Sequence, residues 1–292
     1  MERVEFSALG TRWTVLIEDR RFPPAVKNQL VNLARRFEKR FSRFIPSSEI
    51  GRINESKQRV IPVSDELLNL LEFANRLTDL SEGAFTSTIG GVLEAYGYDR
   101  RYQFKLDKKR LTAYRTSRLS FFDKKLVKPK GAQLDLGGFG KGYLIDQVAK
   151  LLTGQNINYF LIDGGGDMYA TTKKTGEGWQ VGLQHPQQTK QVIGKVELKN
   201  QAFAGSSPKY RRVGNFHHLI NPHTKQPVRQ VAATFVTANS AMVADGVATA
   251  LFVSPSTCWK SIETTLKITY AAVFSDLTVR SSAHFPGELF VT

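Results

Sequence analysis

The sequence predicts an α+β fold. Three observations carry that expectation: two helical apolar stripes between residues 23 and 83, short strands from residue 104 onward, and only two further helical stretches, near 142–152 and 240–252. A regular βαβ alternation would space helices evenly between strands, and this chain does not. Its 292 residues are 41% hydrophobic and 23% charged, the mixture of a globular protein rather than a disordered one. At about 150 residues per domain that length admits one large domain or two modest ones. No linker, repeat or low-complexity tract divides it.

Residues 4–17 read as a strand pair turning at Gly10, with Thr11, Trp13, Val15 and Ile17 alternating with polar or smaller residues. Pro23 and Pro24 then open a helix whose apolar face is Val26, Leu30, Leu33, Phe37 and Phe41. A second helix starts at Ser64 with Asp65 and Glu66 in its first turn. It carries the stripe Leu67, Leu70, Leu71, Ala74, Leu77 and ends at Gly83. Further on, Leu134-Asp135-Leu136 reads as a short strand entering a glycine-rich turn, and a helix follows with Leu144, Val148, Leu151 and Leu152 on one face. Tyr159-Phe160-Leu161-Ile162 is a strand, and Ser240 caps the last helical stretch.

Composition excludes several classes. The single cysteine, Cys258, rules out an internal disulfide framework and a cysteine zinc site. No apolar run reaches the ~18 residues of a membrane span. The opening Met1-Glu2-Arg3-Val4-Glu5 has neither the apolar core of a signal peptide nor a lipid-acceptor cysteine, so the expected location is cytoplasmic. The net charge of +15 is concentrated: residues 101–130 hold eleven basic and two acidic residues, and residues 171–212 hold eight and two. Such a field suits a nucleic acid, an acidic protein or a polyanionic small molecule, or else two solvated basic surfaces. No nucleic-acid module accompanies it, and aromatic residues do not interleave the basic runs as in stacking platforms.

Four segments carry candidate chemistry. In Leu134-Asp135-Leu136-Gly137-Gly138-Phe139-Gly140-Lys141-Gly142-Tyr143, glycines let backbone amides approach an anion, and Lys141 adds a full charge at a helix N-terminus. The spacing fits neither the Walker nor the dinucleotide pattern. Asp163-Gly164-Gly165-Gly166-Asp167 is either a tight hairpin or backbone packed against a ligand. In the helix from Ser240, Asp245 and Thr249 stand at i and i+4 and share a face. A buried carboxylate needs a partner: either Mg²⁺ held by hard oxygens, or a neighbouring backbone segment that Asp245 caps while Thr249 bonds back into its own helix. Finally, His217, His218 and His223 fall close together before and after Pro222. They suit a transition-metal cluster, a single general base, or plain turn residues.

Taken in order, these segments resemble the ApbE family of FAD:protein FMN transferases. The match includes Leu9-Gly10-Thr11, Ser48-Glu49-Ile50-Gly51-Arg52-Ile53-Asn54, Gly83-Ala84-Phe85, Asp135-Leu136-Gly137-Gly138, Lys141-Gly142-Tyr143, Asp163 to Asp167, His218-Leu219-Ile220 and Asp245 with Thr249. The resemblance implies a single compact, T-fold-related α+β domain spanning residues 1–292, with internal pseudo-duplication. It also implies a Mg²⁺-dependent enzyme that takes FAD as substrate, moves FMN onto a Ser or Thr hydroxyl of an acceptor protein, and releases AMP. The alternatives it leaves are a FAD pyrophosphatase and a catalytically silent flavin-binding protein. By resemblance Asp245, Thr249 and the Gly138 carbonyl hold Mg²⁺. Leu9, Phe44, Ala84, Phe85, Thr86, Asp135, Lys141 and Ser206 meet FAD, and His218 is the base.

The chain also departs from the family pattern. Leu9 stands for the usual Met, and Thr86 for an Asp. Gly205-Ser206-Ser207 keeps the central hydroxyl of Thr-Ser-Gly. Asn221 stands for the Asp before Pro222, and Lys225 for a Gly.

Overall fold

The structure, a computed structural model, describes residues 1–290 apart from 19–20, 101–102, 115–116, 189, 210–211 and 214–215. Its frame is an eight-stranded antiparallel sheet. The strands Glu2–Ala8, Thr11–Ile17, Phe160–Asp163, Met168–Ala170, Gln201–Ser206, Val231–Ala238, Thr269–Phe274 and Val279–Ser281 lie side by side in chain order. Eight helices are described: α1 Pro24–Phe41, α2 Glu49–Glu55, α3 Asp65–Leu80, α4 Gly90–Ala95, α5 Lys108–Ala113, α6 Gly140–Gly154, α7 Ala241–Val253 and α8 Trp259–Leu266. None is long and apolar enough to cross a membrane.

Both faces of the sheet are covered, so its central strands are apolar on both sides. Phe160, Ile162, Ala202, Ala204, Val236 and Ala238 point into the main core beneath the helices. Their neighbours Leu161, Phe203, Ala233 and Phe235 point the other way, into a second core. That second core is closed by a three-stranded sheet of Trp179–Gln184, Val192–Leu198 and Gly287–Leu289. An irregularity between Val231 and Ala233 shifts the register, which puts odd-numbered Val231 in the main core while Ala233 and Phe235 keep to the second.

Most sequence expectations for single elements hold. The N-terminal hairpin turns on Leu9 and Gly10, both at positive φ, as a type I′ turn requires, and Trp13 bonds the Ala8 carbonyl. In α1 the buried stripe is Val26, Leu30, Ala34, Phe37 and Phe41. Leu33 is only half-buried, because Ala34 occupies the tight position against the core. Ser64 caps α3 by accepting from the Leu67 amide. One expectation fails: residues 134–136 form no strand. Gln133 makes a single bridge to Ile89, and the chain beyond it is held by one backbone bond from the Asp135 amide to the Ser87 carbonyl and by the Asn54 side chain instead of a ladder. Four short helices, α2, α4, α5 and α8, were not expected from periodicity.

Candidate active site

The site forms where α6 crosses α7 at the mouth of strand Gln201–Ser206. Two clamps deliver the chain to it. Asn54, the last residue of the 48–54 motif, donates through Nδ2 to the Leu134 carbonyl at 2.9 Å and accepts the Leu134 amide at 2.6 Å. This pins the strandless segment and so places Asp135. Lys128 holds α2 itself in place: its buried ammonium donates to the Ile53 and Ser56 carbonyls at the helix C-terminus. Burial pushes its pKa down.

At the crossing, Asp245 is buried, and its Oδ2 accepts the Gly142 amide at 2.9 Å. The carboxylate thus sits at the positive end of α6. Thr249, one turn on, donates to the Gly138 carbonyl at 3.3 Å and lies 3.3 Å from Ser206 Oγ. The alternative of a mere cap is therefore half right. Asp245 does cap a neighbouring segment, but Thr249 reaches across to Gly138 rather than back into its helix. Lys141 pairs with the Asp167 carboxylate and lies 3.8 Å from Asp245 Oδ1. Asp167, only 2% exposed, also accepts the Gly205 amide. Gly138, Lys141, Ser206, Asp245 and Thr249 are thereby brought together as expected, with Asp167 added. The sequence signal for Asp167 is the 163–167 motif, which reads as a tight hairpin or as backbone packed against a ligand and gives Asp167 itself no role.

Two of the glycines have a packing role. A Cβ on Gly142 would lie 2.1 Å from the Ala241 carbonyl oxygen, so this glycine lets two helices touch. In the second motif, Asp163 Oδ1 accepts the Gly165 and Gly166 amides, and Gly165, at positive φ, packs against Thr11. The 163–167 turn therefore presses on the N-terminal hairpin, and the hairpin reading of it stands.

Phe85, Asp135 and, through Arg43, Phe44 flank this corner. Phe85, buried, lies under Gly138 and against the Phe139 ring, with buried Ala84 and Thr86 beside it. Thr86 shares a bond with Thr88 Oγ1 at 2.9 Å, which gives its hydroxyl an internal role. Asp135 accepts the Gly137 amide and pairs with Arg43, whose guanidinium covers the Phe44 ring. Leu9 is at the hairpin tip, half-buried.

The three clustered histidines do not converge. His217 is buried edge-on to Phe252 and accepts the Leu219 amide. His218 packs edge-on to Tyr98, and His223 bonds the Glu82 carbonyl. Among the described residues no group of three His, Cys, Asp or Glu suits a metal, which removes the transition-metal reading. The departures are accommodated. Asn221 donates to the Val253 carbonyl at the end of α7 and accepts the His223 amide, whereas an ionised Asp could not make the first bond. Lys225 takes the left-handed conformation that glycine adopts freely.

Part of the first basic stretch is spent internally. Arg110 pairs with Glu94, Arg118 with Asp79, Lys124 with Asp65 and Lys125 with Asp123. Arg101, Arg115 and Arg211 lie outside the described residues.

A family model described as "ApbE family" matches residues 9–274. The chain belongs to the ApbE family. Among curated relatives, the FAD:protein FMN transferase of Haemophilus influenzae is 29% identical over 241 residues, covering 73% of this chain and 68% of the relative. That of Escherichia coli (strain K12) is 24% identical over 275 residues, covering 86% and 77%. Among solved structures, the ApbE protein from Thermotoga maritima superposes with a TM-score of 0.88 at 24% identity, over 97% of both chains. Flavin transferase ApbE from Vibrio cholerae gives 0.87 at 22%, again over 97% of both. These structures share the fold, a single compact α+β unit, and the resemblance read from eight short motifs is borne out.

Proposed function

We propose that the protein is an FAD:protein FMN transferase, a single domain over residues 1–292, acting on a Ser or Thr hydroxyl of an acceptor protein. The observation that carries this reading is the oxygen corner at the α6–α7 crossing, with an ammonium beside it, in a chain of this family. The donor set, one carboxylate, one hydroxyl and one carbonyl, is chemically hard and fits a small divalent cation. Asp245, Thr249 and the Gly138 carbonyl would hold Mg²⁺, which supplies charge neutralisation at a pyrophosphate when bound.

The chain's own groups supply positioning, which is most of what phosphoryl transfer needs. Lys141, on the first turn of α6, offers its ammonium to the phosphate oxygens, with Asp167 fixing it from behind. Ser206 adds a hydroxyl donor beside Thr249. Leu9, Phe44, Asp135 and the 84–86 segment receive the flavin and adenine. His218 accepts the proton of the acceptor hydroxyl as that oxygen attacks the FMN phosphorus. The new P–O bond forms while the bridging P–O bond to AMP breaks, and AMP departs with those electrons.

Incubation with FAD, Mg²⁺ and an acceptor protein tests this. AMP release together with flavin fluorescence on the denatured acceptor is the expected result. FMN and AMP appearing without acceptor would replace transfer by hydrolysis. Bound, intact FAD with no AMP would overturn an enzymatic role and leave a flavin-binding protein.

A further inference from the structure

Arg43 follows α1 and precedes Phe44. It is 8% exposed, yet it carries a full charge. Its guanidinium makes two hydrogen bonds, one longer ion pair and a ring contact. Nε donates to Asp135 Oδ2, Nη2 donates to the Tyr98 carbonyl at 2.6 Å, Nη1 lies 3.6 Å from Glu94 Oε1, and the plane covers the Phe44 ring with 4.2 Å to its centre. Burying such a charge is a poor way to gain stability, since apolar residues of similar size often serve as well. What the arrangement does supply is geometry. Three segments distant in sequence, at 44, 98 and 135, are tied to one planar group.

Each tie leads into the site. Asp135 Oδ1 accepts the Gly137 amide at 2.6 Å, one residue before the carbonyl that Thr249 bonds. The Tyr98 ring stands edge-on to His218 at 6.4 Å. Phe44 lies directly beneath the guanidinium. We infer that Arg43 is a positioning residue for FAD: it fixes the Asp135 carboxylate and the Phe44 ring as one nucleotide-receiving surface and anchors that surface to the wall bearing His218. This inference rests on the proposed reading, in which Asp135 and Phe44 meet FAD. Lysine cannot replace arginine here, because a point charge reaches Asp135 or the Tyr98 carbonyl but offers no plane to Phe44.

The test compares full-length wild-type protein with Arg43→Lys, Arg43→Met, Asp135→Asn and the double variant Arg43→Met/Asp135→Asn. FAD affinity is read by flavin fluorescence without acceptor, and KM and kcat by transfer. Loss of a charge-assisted bond predicts a Kd and KM for FAD raised about 10- to 100-fold in Arg43→Met, with kcat held within about threefold. Arg43→Lys falls between the two. In the Asp135→Asn background, Arg43→Met adds less than about threefold, because most of its effect runs through that carboxylate. Should Arg43→Met fail to fold by circular dichroism, Arg43→Lys, which keeps the charge, carries the comparison. A wild type that binds no FAD would overturn the flavin reading, and this inference with it. A wild type that binds FAD while folded Arg43 variants match its affinity, or multiply the Asp135→Asn effect in full, would overturn this inference alone.

Discussion

The two walls of the candidate site are built on different plans. The Asp245 wall is made of long regular elements joined by buried or half-buried bonds. Gly142 donates to Asp245, Thr249 reaches Gly138 and Ser206, and Asp146 on α6 accepts from Ser240 Oγ and the Ala241 and Met242 amides that begin α7. The His218 wall consists of two-residue strands, Phe216–His217, Ile220–Asn221 and Gln226–Pro227, held by a turn that Asn221 caps. Charge neutralisation at a pyrophosphate requires groups fixed before the substrate arrives. A hydroxyl delivered by another protein arrives in a partner's frame, and short ladders can adapt to it. Under the proposed function, FAD would belong to the Asp245 wall and the acceptor to the loop wall.

That division can be broken experimentally. The largest effect is expected on the loop wall: His218→Ala should slow transfer by about 10²–10⁴-fold while FAD affinity, read by fluorescence, stays at the wild-type value. Unchanged transfer would remove His218 from the chemistry. On the rigid wall, Gly142→Ala forces α6 and α7 apart, since its Cβ would meet the Ala241 carbonyl and the Asp245 side chain. Overpacking of this kind costs about 1–3 kcal/mol, seen as a lower urea midpoint, and calorimetry should show weaker Mg²⁺ binding. A full-strength Mg²⁺ isotherm would show the crossing to be softer than its bonds suggest.

Smaller effects sharpen the contrast. Asn221→Asp restores the acid usual in the family but removes a donor to Val253 and places a charge at the C-terminus of α7. A loss of roughly 1 kcal/mol is expected in thermal melts, with FAD affinity unaltered. Asp146 gives a pH signature instead. Burial pushes its pKa above the ordinary carboxylate value, against the hydrogen bonds that lower it. The folded state thus holds this proton more tightly than the unfolded chain. Its contribution to stability is greatest below the ordinary value, declines as pH rises through the raised one, and is flat above it. Asp146→Asn should flatten that part of the pH profile of the urea midpoint, and an unchanged slope would assign it to other groups.

Sequence periodicity found the elements whose burial is written locally. Trp13, Val15 and Ile17 mark a strand, and the stripes of α1 and α3 mark helices, with Leu33 misjudged only because Ala34 packs closer. The short helices α4 and α5 escaped because six residues give less than two turns of pattern. Leu134 to Leu136 looked like a strand because apolar alternation does not reveal that Asn54 replaces the ladder. In the site, the i, i+4 spacing of Asp245 and Thr249 showed that they share a face but left a metal pair and a plain cap open, and only the family resemblance favoured the metal. Arg43 and Asp146 were not legible, since nothing near a charged residue in sequence says that distant backbone will bury it, and Asp167 was visible only as part of a motif with no role attached.

The meander of the main sheet hides a long detour. Strands Thr11–Ile17 and Phe160–Asp163 are immediate neighbours in space, yet their paired residues are about 145 positions apart, and the ends of the detour meet where the Glu18 amide bonds the Tyr159 carbonyl. Closing so wide a loop is an entropic cost that local contacts cannot offset beforehand, and such pairings form slowly. During synthesis the N-terminal hairpin must wait, one edge bare, until residue 163 has emerged. Leu9 at its tip is in place early, whereas the strand that flanks the hairpin is made only after α6.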